Sequence, residues 1–137
     1  MRLLRLILPY LFVFGCNLST GWKKSDEPDY IGGGLFVAVP VSFTLLTIYF
    51  WIDHLISLPY ETGRLIAAAI FTSGIIGTNL IFRGKFHTLS GKIDDLQESE
   101  LNFVEISSGM FFILSFAAMV FSAFYIRNHM PIVVLAA

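Results

Sequence analysis

Three long stretches of this chain carry almost no charge: residues 31–52, 65–82 and 102–126. A helix needs about 20 predominantly apolar residues to cross the hydrocarbon core of a bilayer, where every backbone polar group must be bonded within the protein. These three runs meet that requirement and predict an all-α membrane protein with three transmembrane helices. Composition agrees: 137 residues with 55% hydrophobic and 14% charged side chains, and a mean hydropathy of +0.73, leave too little charge to coat a soluble domain of this size. A net charge of −1 argues against a nucleic-acid partner, and a single cysteine excludes an internal disulfide.

Ahead of the three runs, residues 1–16 place Arg2 and Arg5 before an apolar stretch that is short for a crossing helix. This is the form of a secretory signal. Val13-Phe14-Gly15-Cys16 resembles the lipobox of bacterial lipoproteins, in which a small residue precedes a cysteine that is lipidated and becomes the new N-terminus. The resemblance implies lipidation at Cys16. The competing reading is a short, uncleaved first helix, which would make a fourth membrane helix, with Pro9 bending it and Arg5 reaching back to the surface. Residues 17–30, with Gly21, Pro28 and a mixed charge cluster, are expected to form a polar surface linker bracketed by Trp22 and Tyr30 as interfacial anchors.

Residues 31–137 are expected to form the helical membrane domain. In 31–52, Pro40 predicts a kink, and Ser42, Thr44 and Thr47 are candidates to bond freed carbonyls or neighbouring helices. In 65–82, Ala69, Ser73 and Gly77 recur every fourth residue and form a face that lets another helix backbone approach closely. In 102–126, Glu105, Ser108, Phe112, Ser115, Met119 and Ser122 follow intervals of three and four, so this stripe should face protein. Between the last two runs, 83–101 is a charged surface loop in which Phe86, Leu89, Ile93 and Leu96 mark one apolar helical face. From Ile93 onward the pattern is expected to continue into the third span as one rod. The tail after Arg127 breaks at Pro131 and is too short to span.

No HExxH, P-loop, GxSxG or paired CxxC pattern occurs, so no catalytic or cofactor-binding residue is assigned and no cofactor is expected. The function expected is a non-catalytic subunit or partner-binding protein of a membrane assembly, contacting lipid and either a second membrane protein or further copies of itself through Ala69, Ser73, Gly77 and Ser122. An alternative is a small self-associating transporter or channel with Glu105, Ser108 and Ser115 handling an ion or proton, since a carboxylate inside an apolar run is costly unless it is used or wetted. A weaker alternative is a membrane enzyme or metal site on the side that gathers Asp53, His54, Glu61 and His129, an imidazole and carboxylate set suited to a divalent metal. The membrane expected is a bacterial cytoplasmic membrane. Three spans put the 17–30 linker and the 83–101 loop on one side, and the 53–64 turn on the other. The sidedness signals conflict: counting Lys and Arg places the charged loop in the cytoplasm, whereas a signal-like or crossing N-terminus places it outside. The consistent N-terminal pattern of Arg2, Arg5, the apolar run and the polar stretch after Cys16 favours export, because the loop's lysines are diluted among acids.

Overall fold

The computed structural model describes residues 1–23, 27–56 and 59–129, Lys23 and Tyr60 by backbone alone. The tail from Met130, with its expected break at Pro131, and the linker residues Lys24, Ser25 and Asp26 lie outside the described residues. The fold is all-α. A 3₁₀ turn, Leu3–Leu6, leads into α1 (Ile7–Lys23), followed by α2 (Tyr30–Ile56), α3 (Tyr60–Phe82), α4 (Phe86–Asp94) and α5 (Glu98–Asn128). Among the described residues, four segments are long and apolar enough to cross a membrane: Leu3–Trp22, Tyr30–Ile56, Glu61–Phe82 and Glu98–Asn128. The N-terminal segment is therefore longer than residues 1–16 suggested. Its helix runs on through Asn17 and Thr20 because that turn is bonded from both sides: Thr20 Oγ1 donates to the Cys16 carbonyl at 2.6 Å and accepts the Asp29 backbone N–H at 2.9 Å.

The boundaries follow local chemistry. Asp29 precedes α2 and its carboxylate accepts the Gly32 backbone N–H at 3.3 Å, the role of an N-cap. Pro59 precedes α3, and α3 stops at Gly84, whose φ of +80° is a conformation that only glycine adopts without strain. Gln97 opens α5, its backbone N–H bonded to the Glu100 carboxylate at 3.3 Å. Asp95, Leu96 and Gln97 separate α4 from α5, so the continuous rod expected from Ile93 is two helices.

Helix α2 is the hub. It packs against α1, α3 and α5, whereas α3 and α5 scarcely meet except through it. Pro40 does not interrupt it; Thr44 and Thr47 bond the carbonyls of Pro40 and Phe43, each at 2.9 Å. Its three opening glycines are three separate seats. A side chain at Gly32 would strike Ser19, one at Gly33 would strike Cys16 and the Phe12 backbone, and one at Gly34 would strike Asn79 of α3.

Helix α1 does not run the length of α2. Its C-terminal end meets the start of α2 through Ser19 and Thr20, while its N-terminal end meets α4 and the upper part of α5. There, Arg2, Arg5 and Leu6 share a depression with Lys92 and Asp95, and the Ile7 carbonyl accepts a hydrogen bond from Ser108 at 3.3 Å. Both ends of α1 thus lie at the α4 end of the molecule. Its middle rests on Phe82, the last residue of α3, with ring centroids 5.1 Å apart. The apolar face of α4 closes over it, so Leu11, Phe12, Val13, Cys16 and Val37 join Phe86, Leu89 and Ile93 in one buried cluster.

Candidate functional site

The serine stripe of α5 faces protein. Ser108, Ser115 and Ser122 are buried with Val104 and Ile126. Their hydroxyls are engaged internally: Ser108 with the Ile7 carbonyl, Ser115 with the Phe112 carbonyl at 2.9 Å, and Ser122 accepting the Trp51 indole N–H at 3.0 Å. Glu105 is not in the buried face; Val104 takes the inward position one turn before Ser108, and Glu105, a step around the helix, is exposed. The carboxylate and the serines therefore do not line one path.

On α3 the face that meets α2 is not the one whose small residues stood out in the sequence. Phe71 packs on Phe43, Gly74 admits Ser42, and Thr78 donates to the Gly34 carbonyl at 3.2 Å. Ala69 and Ser73 are exposed, and a side chain added at Gly77 would meet nothing within 4 Å. The Ser73 hydroxyl turns back to its own helix, to the Ile70 carbonyl at 3.0 Å. Cys16, a lipidation candidate by its resemblance to a lipobox, is fully buried with its sulfur against Gly33.

The imidazole and carboxylate set does not converge. His129 stacks on Tyr125 with centroids 4.1 Å apart and bonds its carbonyl at 2.8 Å, while His54 stands edge-on to Trp51. Trp51 and Tyr125 are themselves in contact at 5.6 Å, so the two histidines flank an aromatic cluster that ties α2 to α5. Glu61 is exposed on the first turn of α3. Among the described residues, no three His, Cys, Asp or Glu side chains are grouped to hold a metal. Each histidine is drawn to the nearest ring rather than to a shared centre.

What does converge at that end is a cavity of about 310 Å³ between α2, α3 and α5, with Tyr49, Asp53, Arg64 and Arg127 among its lining residues and Phe50, Ala67, Ala123 and Ile126 completing an apolar wall. It exists because α3 and α5 are separated by α2 and leave a wedge open. Tyr49 is 8% exposed and its hydroxyl has no hydrogen-bond partner among the described residues. Gly63 makes room for it: a side chain there would lie 2.9 Å from the hydroxyl oxygen. Of these residues the sequence singled out Asp53 alone. The remaining three are scattered over separate helices, and the one local signal is that each charged residue stands at the end of an apolar run. The chain matches no protein-family model, no curated protein and no solved structure.

Proposed function

We propose that this chain is a non-catalytic membrane subunit that binds a second membrane-embedded protein chain through the outer face of α3. The observation that carries this reading is the uncovered Ala69, Ser73 and Gly77 stripe. Apolar side chains gain little by leaving lipid for one another, so helices associate in membranes where small residues allow close backbone approach. Here α3 spends its Gly74 and Thr78 side on α2 and keeps a second small-residue face outward. Helix α3 also buries the smallest share of its apolar window, 6% against 28% for α2. The internal bonding of Ser108, Ser115 and Ser122 supports a packing role for the α5 stripe over a conducting one.

The same reading carries an orientation. With both ends of α1 at the α4 end, α1 lies in the interface and the chain crosses three times, by α2, α3 and α5. Arg2, Arg5, Lys23, Arg83, Lys85 and Lys92 then fall on one side, against Arg64 and Arg127 on the other. An N-terminal helix that does not cross removes the argument for exporting the charged loop, and the bias of Lys and Arg places it in the cytoplasm of a bacterial cell.

The test uses Ser73→Cys in a Cys16→Ala background, oxidised in native membranes. A cross-linked product through position 73 is expected, its mass giving the partner: twice the chain for self-association, another value for a different subunit. Paired Ser73→Leu and Gly77→Leu substitutions should abolish co-purification in mild detergent. Wild-type protein that runs as a lone monomer, together with no cross-linked product from the Ser73→Cys variant, would sink the reading.

A further inference from the structure

We propose that the cavity between the ends of α2, α3 and α5 is a site for one anionic phospholipid, with Arg64 and Arg127 at its phosphate and the Tyr49 hydroxyl as an additional donor. Two guanidinium groups and the Asp53 carboxylate border the space, so cationic groups outnumber anionic ones in its lining. Guanidinium pairs with phosphate oxygens through parallel N–H donors, a geometry an ammonium group does not offer. The polarity is graded with depth. Asp53, Arg64 and Arg127 stand toward the helix ends, while Phe50, Ala67 and Ala123 lie about one turn further into the apolar runs of the same three helices. A phospholipid has that gradient: a charged head at the boundary and chains directed inward.

The Tyr49 hydroxyl is the second, independent observation. It is buried in the wall of this cavity with no partner among the described residues, and buried hydroxyls in folded proteins are ordinarily bonded. A phosphate or ester oxygen entering between Arg64 and Arg127 supplies the acceptor. The volume of about 310 Å³ takes a headgroup and its glycerol rather than a whole lipid, and the acyl chains leave through the opening that α3 and α5 do not close. The shared chemistry is a phosphate ester, which a water-soluble metabolite can also present; the apolar wall favours the lipid.

Native mass spectrometry of the full chain in an equal mixture of phosphatidylglycerol and phosphatidylcholine with identical acyl chains tests this. One phosphatidylglycerol per protomer is expected to be retained, at least tenfold over phosphatidylcholine. Arg64→Gln with Arg127→Gln should bring the two lipids level, and Tyr49→Phe should lower phosphatidylglycerol retention several-fold. Ala123→Phe, which fills the apolar wall and leaves every charge in place, should reduce retention of both, so the outcome does not hang on the arginine variant folding. Arg83→Gln with Lys85→Gln, at the opposite end, should change nothing. Equal retention of the two lipids by the wild type, or selectivity that survives loss of both arginines, would overturn the site. Displacement of the lipid by glycerol 3-phosphate at equal concentration would overturn its assignment to a lipid.

Discussion

At the residue scale, a few small side chains decide more than the large apolar ones. Gly33 lies where α1 crosses α2, and a methyl group there meets the Phe12 backbone, which cannot swing away as a side-chain tip would. Gly33→Ala is expected to destabilise the protein by about 1–3 kcal/mol, the usual cost of overpacking, read as a lower unfolding temperature in detergent. Ser42 is the opposite case. It is fully buried against Gly74 with no hydrogen-bond partner among the described residues, so Ser42→Ala should leave stability unchanged or raise it by about 1 kcal/mol, because removing an unsatisfied hydroxyl removes its desolvation cost. A clear loss of stability in Ser42→Ala would show that the hydroxyl is bonded after all. Neither role was legible in the sequence: Gly32, Gly33 and Gly34 simply fall at the start of the 31–52 run, and Ser42 is one of three hydroxyls near Pro40, since the partners of all four residues lie on other helices.

At the element scale, α1 and α4 form a pair. The Phe86, Leu89 and Ile93 face of α4 was readable from its spacing of three and four, but that spacing does not say whether the face lies on the membrane surface, on the linker or on α1. The structure puts it on Leu11, Phe12 and Val13, with Tyr30 edge-on to Phe86 at 6.1 Å. Leu89→Lys should therefore loosen α1 as well as α4. The expected readout is faster hydrogen exchange through both residues 7–16 and 86–94 with α2 unchanged; exchange confined to α4 would mean that α1 is held by the Gly32 and Gly33 seats alone. The division of α5 from α4 is hidden for a related reason: the apolar pattern continues past Ile93, and the helix restarts at Gln97, whose backbone N–H is bonded to the Glu100 carboxylate.

At the scale of the whole molecule, the course of α1 governs the threading. Cysteine labelling in bacterial cells, in a Cys16→Ala background, checks it. Lys92→Cys and Arg2→Cys should react only after permeabilisation, and Arg64→Cys in intact cells. Arg2→Cys reacting with Arg64→Cys would show α1 crossing as a fourth span, and reversal of all three would invert the protein. The candidate metal set of Asp53, His54, Glu61 and His129 is scattered by the packing of the whole molecule. The sequence placed those residues on one side of the membrane, yet the two histidines are spent on the Trp51 and Tyr125 rings, and of the four only Asp53 borders the cavity at that end, beside Tyr49, Arg64 and Arg127.

The sequence by itself determined that the chain is helical, where α2, α3 and α5 run, and that a charged amphipathic segment joins the last two. It could do so because in lipid each backbone polar group must be bonded locally, which makes a span a property of its own residues. The tertiary structure alone decided which faces meet, that α1 lies across one end of the other helices, and that a cavity opens at the far end. Apolar faces are nearly interchangeable when lipid is the solvent, so close fit at Gly33, Gly34 and Gly74 selects the partners, and fit is a property of two helices at once.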